Sequence, residues 1–271
     1  MSIVRPNRTL EKLRRNQLAT GAVIGTPCPE LVEIAALAGF DFVTLDAEHE
    51  ALDDGEIVAL IRSAEACAVT PIIRAAFDPD RMLRLLDSGV QGVHVAQCGS
   101  VADMQRLADC TRFHPEGCRT FYRLGRGGNF GRGLDDAEWA REVNKQLLVI
   151  AMIEDIRAVD HLNEMLAVPG INAIHVGPKD LWQSMGMPAL EEVDAVVDRI
   201  ASAVRAHNLK LSLQIRAIDD IPPQLARGLG RGADMLSVPL ASLLLRQGEL
   251  FIEQVMHASP GAALPPAGGP G

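Results

Sequence analysis

Short apolar segments alternate with longer segments of helical periodicity along most of the chain. The apolar segments are rich in Val and Ile and predict eight strands, at 22–25, 42–46, 71–74, 92–96, 147–154, 172–176, 210–215 and 235–238. Their nearly continuous apolar character indicates burial on both faces, as in a parallel sheet that is covered by helices.

The segments between these strands favour helices. Segment 29–39 has Pro29 in its first turn and Gly39 at its end, which is typical of a helix. Eight strand–helix units predict an α/β fold, a closed (β/α)8 barrel of the TIM type, formed as a single domain over residues 1–258. An open doubly wound sheet is the alternative fold.

Two segments interrupt the alternation. The tail, 259–271, has Pro and Gly but little to bury, and we predict that it is disordered. Segment 117–133 is glycine-rich and basic, but Phe130 stands where the third glycine of a dinucleotide-binding fingerprint would lie. This segment either binds a second anionic group of a substrate or forms a solvated loop; its arginines are Arg119, Arg123, Arg126 and Arg132.

Composition narrows the class of protein. A length of 271 residues with 48 % hydrophobic residues suits one barrel domain, and the net charge of −9 argues against a nucleic-acid surface. No apolar run approaches the roughly 20 residues of a membrane helix, so we expect no membrane association. Five cysteines without C-x-x-C spacing indicate reduced thiols, and hence a cytoplasmic protein.

Polar side chains end several of the predicted strands. The active sites of such barrels lie at the carboxyl ends of the strands, and a polar group at the end of an apolar strand is costly to bury without a purpose. We therefore expect a site where these side chains converge: Asp46, Glu48, His49, Arg74, Gln97, Glu154 and Asp180.

Two of these carboxylates form a candidate metal site. Glu154 and Asp180 would offer hard oxygen ligands with open positions, which suits Mg²⁺ or Mn²⁺. The alternatives are a buried ion pair between Glu154 and Arg74, and a helix N-cap for Asp180.

The other candidates are bases and cations. His49 follows a strand and has acidic neighbours that would orient its ring, whereas His94 and His175 lie inside strands and favour a buried structural role. The forked guanidinium of Arg74 matches a carboxylate with an adjacent keto oxygen, unless it pairs with Glu154 or Asp46.

An ordered set of motifs resembles a known family. The motifs are LDAEH at 45–49, PIIR at 71–74, LLDSG at 85–89, HPEGCR at 114–119, MIE at 152–154 and GPKDL at 177–181. They resemble the HpcH/HpaI family of class II, metal-dependent 2-oxo acid aldolases over roughly residues 10–257. Departures from the family pattern at Thr120, Met152 and Trp182 leave the native substrate open.

The resemblance implies a (β/α)8 barrel, often a hexamer built from domain-swapped dimers. It implies that Glu154 and Asp180 bind Mg, Mn or Co, that Arg74 holds the enolate, and that His49 acts as acid and base through water with Asp87 as its partner. Backbone groups would bind the substrate carboxylate at Gly177, Pro178, Lys179 and Asp180. Arg119 and Arg123 would contribute to substrate binding.

The expected function is therefore that of a carbon–carbon lyase, which cleaves or forms an aldol through a pyruvate-type 2-oxo acid enolate and an aldehyde. The alternative is an acyl-CoA-using enzyme of the same family, either a citrate synthase-like enzyme of siderophore or other secondary metabolism or a CoA-thioester lyase. A Schiff-base aldolase is less consistent with only four lysines, and a non-catalytic binder would not need His49. The apolar C-terminal helix predicts a homo-oligomer, because it has more apolar surface than one barrel covers.

Overall fold

Eight parallel strands close into a barrel. The computed structural model describes residues 4–216 and 220–258. The strands follow chain order around the barrel and β8 pairs with β1: β1 Ala19–Ile24, β2 Phe42–Asp46, β3 Thr70–Ala75, β4 Gly92–Val95, β5 Leu148–Ile153, β6 Ala173–Val176, β7 Lys210–Gln214 and β8 Met235–Pro239. The predicted (β/α)8 barrel is confirmed, and all eight predicted strands overlap observed ones.

Helices cover the outside of the barrel and connect its strands: α2 Pro29–Leu37, α3 Asp54–Ala66, α4 Pro79–Asp87, α5 Val101–Thr111, α7 Leu162–Leu166, α8 Pro178–Ser184, α9 Leu190–Ala206 and α10 Ile221–Gly230. Helix α2 ends where Gly39 adopts a φ of +94°, a conformation that disfavours other residues. Two 3-10 turns lie at Asn129–Gly131 and Ile156–His161.

Two further helices belong to the amino-terminal end of the barrel. Helix α1, Arg8–Arg14, buries Leu10 and Leu13 against the barrel interior. Asn7 caps this helix, and its side-chain amide donates to the carbonyl of Gln91 just before β4. Helix α6, Asp136–Gln146, precedes β5. This end of the barrel is thus closed, and the opposite end carries the pocket described below.

The last helix, α11 (Leu240–Ala258), follows β8 directly. It leaves a row of large apolar side chains exposed, at Leu244, Leu245, Phe251, Ile252 and Val255. This is the surface expected of a helix that packs on another subunit, which stays a prediction. The tail at 259–271 lies outside the described residues, so its predicted disorder also stays a prediction. Among the helices of the described ranges, none has the length and apolar character to cross a membrane.

Candidate active site

The pocket at the carboxyl end of the barrel has a volume of about 610 Å³. It brings together His49, Glu154 and Asp180, as the sequence predicted. Its walls are Glu48, His49, Gln97, Cys98, Gly99, Asp103, Glu154, Asp155, Arg157, Asp180, Gln183 and Ser184. The sequence interpretation did not single out several rim residues, although all of them except Asp103 lie within a few positions of a strand end or in the short helix α8.

Glu154 is the most strongly perturbed carboxylate in this pocket. It follows β5, is only 8 % exposed, and its Oε1 accepts a hydrogen bond of 2.8 Å from the backbone amide of Gln97. Burial, together with the charges of Glu48 and Asp180, raises the pKa of Glu154 to about 6, although the hydrogen bond from Gln97 lowers it. The ion pair between Glu154 and Arg74, which was the alternative to a metal site, does not form.

Glu48 adds a third carboxylate beside this pair. Burial raises its pKa, and no group within residues 4–216 and 220–258 makes a hydrogen bond to its buried Oε2. That oxygen lies 3.6 Å from Nε2 of His49 and 3.7 Å from Nε of Arg74. Three carboxylates therefore converge beside one arginine and one histidine, an excess of negative charge that favours a cation.

A divalent cation fits these donors. The described residues contain no cluster of three or more ligands already arranged around one point. Glu154 and Asp180 would therefore supply two of its ligands, and water or substrate the rest, as is common for Mg²⁺.

Asp180 lies in the first turn of α8, where it is exposed to the pocket. The N-cap position of this helix is Gly177, so the alternative in which Asp180 is the N-cap is wrong. A side chain at Gly177 would place its Cβ 2.8 Å from Oε2 of Glu154. Glycine therefore allows α8 to approach the Glu154 carboxylate closely.

Fewer backbone N–H groups are free at the start of α8 than the GPKDL motif at 177–181 suggests. The amide of Gly177 donates to the carbonyl of Ile153, and Pro178 has no N–H. The amides of Lys179 and Asp180 lie in the first turn of α8, where backbone N–H groups have no partner within the helix. The Lys179 ammonium lies 5.4 Å from the centre of the Trp182 ring.

Arg74 is held by Asp46, which was one of the alternatives from sequence. Its Nε donates to Asp46 Oδ1 over 3.0 Å and its Nη2 donates to Oδ2. Burial alone would raise the pKa of Asp46, but the hydrogen bond and charge of Arg74 outweigh this effect and lower it. The two residues are direct partners in the β2–β3 ladder, which holds the guanidinium beside Asp46 and within 3.7 Å of Glu48.

Asp87, Arg119 and Arg123 do not join this pocket within one chain. Asp87 ends α4, which runs back from the carboxyl end of β3 to the start of β4. Its Oδ1 accepts a 2.7 Å hydrogen bond from Arg119 Nη2, and the Arg119 side chain is buried. Arg123 pairs with Asp136 at the start of α6. The predicted site residues therefore divide between the two ends of the barrel.

His94 and His175 lie in the barrel interior, as expected from their strand positions. Their ring centres are 4.5 Å apart, and Nδ1 of His175 lies 2.9 Å from Ser212 Oγ. Burial lowers the pKa of His175 to about 3 and that of His94 well below its usual value. Both rings are therefore neutral.

Comparison with known proteins agrees with this geometry. Residues 24–232 match the sequence model of the family described as HpcH/HpaI aldolase/citrate lyase. The chain belongs to this family. It is 30 % identical to a pyruvate aldolase of Rhizobium etli over 73 % of this chain and 77 % of the relative. It is 26 % identical to a 2-keto-3-deoxy-L-rhamnonate aldolase of Shigella sonnei over 90 % and 91 % of the two chains.

A solved structure extends the comparison. The citrate synthase SbnG superimposes with a TM-score of 0.81 at 25 % identity, covering 93 % of this chain and 98 % of that protein. Family membership and the aldolase relatives confirm the expected class of enzyme, a carbon–carbon lyase.

Proposed function

We propose that the enzyme is a divalent-metal-dependent aldolase that acts on a pyruvate-type 2-oxo acid and an aldehyde. The observation that carries this proposal is the convergence of Glu154, Asp180 and Glu48 on one pocket with Arg74 and His49 beside them. A bound divalent ion would supply positive charge at the keto oxygen and so stabilise an enolate.

The protein's own groups account for the remaining parts of the reaction. Arg74, oriented by Asp46, adds positive charge at the floor of the site where the enolate oxygen develops. The amides of Lys179 and Asp180 bind the carboxylate of the 2-oxo acid. His49, exposed in the pocket and adjacent to Glu48, moves the proton at the aldehyde-derived hydroxyl through water.

We further propose that a neighbouring subunit completes the site. Asp87 was predicted as the partner of His49, but the two lie at opposite ends of one barrel. Asp87 and Arg119 line a cavity of about 110 Å³ at the amino-terminal end, near the basic segment 117–133. In a homo-oligomer, either a dimer or a dimer-based hexamer, this end of one chain would meet the carboxyl end of the next. Arg119 and Arg123 then belong to the partner's substrate pocket.

Proton exchange tests the proposed enolate directly. In D₂O with Mg²⁺ or Mn²⁺, the enzyme should exchange the methyl protons of pyruvate, as followed by NMR. Arg74→Ala should slow the exchange sharply because the developing charge loses a stabilising group. Absence of exchange for pyruvate, oxaloacetate and oxobutyrate under saturating metal would refute the 2-oxo acid enolate.

The similarity to a citrate synthase supports one second candidate, an enzyme that joins an acyl-CoA to a 2-oxo acid. Release of free thiol from acetyl-CoA in the presence of oxaloacetate would favour it. Turnover of free aldehydes with pyruvate would favour the aldolase.

A further inference from the structure

The barrel interior directly below Arg74 is unusually polar. An enclosed cavity of about 10 Å³ lies there, among apolar side chains and the polar groups of Thr44, Arg74, His94, His175, Ser212, Gln214 and Ser237. Interiors of such barrels are normally filled by branched apolar residues. Polar groups in this position lower stability unless each finds a hydrogen-bond partner, so their presence calls for a functional reason.

In this lining, His94 has a fully buried ring nitrogen that finds no partner among the described residues. It is 5 % exposed, and no group in the described part of the chain makes a hydrogen bond to its Nε2. The neighbouring His175 ring is satisfied by Ser212. His94 is the direct partner of Arg74 in the β3–β4 ladder, and both line the cavity.

The charges around this cavity favour a water molecule over a cation as its occupant. Burial, His175 and the charge of Arg74 all lower the pKa of His94, so the ring is neutral and offers a lone pair. The guanidinium lining the same cavity disfavours a bound cation. A volume of this size accommodates one water, and a buried water needs two to four polar partners, which this lining provides.

We propose that His94 is a positioning residue for Arg74, acting through one enclosed water that donates to Nε2 of His94 and accepts from the Arg74 guanidinium. Within the described chain, both hydrogen bonds of Arg74 go to Asp46 on one side. The water adds a hydrogen bond to the guanidinium from the barrel interior, and this bond orients the guanidinium toward the pocket. This inference rests on the proposed role of Arg74 in binding the 2-oxo acid.

Substitution at position 94 separates positioning from structural support. His94→Leu removes the acceptor, so the exchange of pyruvate protons at saturating pyruvate should fall about tenfold. Its Tm should stay close to that of the wild type, because the apolar side chain that fills the site offsets the loss of one water-mediated hydrogen bond. His94→Gln retains an acceptor and should restore most of the rate.

The control is Ile150→Val, which alters the same cavity without removing a polar atom and should leave the exchange rate unchanged. A lower Tm in His94→Leu with unchanged exchange would overturn the proposal. So would failure of His94→Gln to restore the rate.

A crystal structure provides a test that does not depend on activity. At atomic resolution the wild-type enzyme should show one water bonded to His94 Nε2 and to Arg74. In His94→Leu this water should be lost and the guanidinium, held by Asp46 alone, should change its orientation toward the pocket. A wild-type cavity without density would refute the inference. If the wild-type enzyme exchanges no pyruvate protons, the proposed function fails, and the crystal structure still decides whether the water is present.

Discussion

The backbone amide of Gln97 donates a hydrogen bond of 2.8 Å to Oε1 of Glu154. Gln97 adopts a φ of +57°, in the left-handed region that disfavours residues with a side chain. Its side chain is exposed at the pocket. A strained residue that holds a candidate metal ligand indicates that the backbone here is shaped for the site.

Substitution of Gln97 should separate strain from function. Gln97→Gly keeps the amide and relieves the strain, so the free energy of unfolding should rise by about 1 kcal/mol while Mn²⁺ affinity is retained. Gln97→Ala keeps both the amide and the strain, and should match the wild type in both measurements. Urea unfolding and Mn²⁺ titration by electron paramagnetic resonance provide the readouts. Equal stabilities of the Gly and Ala variants would show that the left-handed conformation is not strained.

The carboxylates Glu154 and Asp180 should determine metal affinity. Glu154→Gln and Asp180→Asn keep the shape of the side chain but remove the charge, so each should weaken Mn²⁺ binding on the order of tenfold or more while the protein stays folded. Asp155→Asn is the matched control, since Asp155 lies on the rim of the same pocket but pairs with Arg157. Isothermal titration calorimetry and circular dichroism make the comparison. If the control variant loses as much affinity as the other two, the ligand assignment is wrong.

Removal of metal should expose a pH dependence that arises at Glu154. Its pKa of about 6 in the folded protein lies above the usual 4.5, so the folded state binds the proton more tightly than the unfolded state does. The metal-free protein should therefore lose stability as pH rises from about 4.5 to above 6. At about 1.4 kcal/mol for each unit of pKa difference, the loss is about 2 kcal/mol at most.

Two controls identify the group responsible for this dependence. Saturating Mg²⁺ should reverse the loss, because the cation stabilises the charged carboxylate. Without metal, the free energy of unfolding of Glu154→Gln, measured by urea titration, should not change over the same pH range. A variant that retains the full dependence would assign it to another group.

The barrel and half of the site could be predicted from sequence for a common physical reason. Strands buried on both faces are nearly all apolar, and a carboxylate at the end of such a strand, such as Glu154, is conspicuous. The partner of Arg74 was less certain, because Asp46 and Glu154 both end strands. Only the register of the barrel, in which Asp46 and Arg74 are neighbours, decides between them.

The location of the basic segment could not be predicted in the same way. Segment 117–133 follows α5 and precedes an additional helix, α6, at the amino-terminal end. Periodicity identifies such a helix but does not show against which end of the barrel it packs. The family resemblance therefore predicted Asp87 as the partner of His49, and the charge of the segment predicted that Arg119 and Arg123 bind substrate, without showing at which end of the barrel these residues lie.

Complementation between subunits tests whether the site around His49 receives Asp87 from a neighbouring chain. His49→Ala and Asp87→Asn should each be nearly inactive alone, and Asn is chosen to keep a hydrogen bond with the buried Arg119. In a mixed dimer, the barrel that retains His49 receives Asp87 from the other chain, while the second barrel lacks both. Random assembly from equal amounts yields mixed pairs half of the time, so about a quarter of the wild-type activity should return.

The recovery should depend on assembly, since it requires both chains in one oligomer. Differently tagged variants, co-expressed and purified through both tags, should be more active than either parent, and light scattering should show no monomer at micromolar concentration. The exposed apolar row on α11 gives a physical reason for such assembly. If mixed oligomers form but stay as inactive as their parents, Asp87 does not act on the His49 of a neighbouring chain, and its role is confined to the ion pair with Arg119.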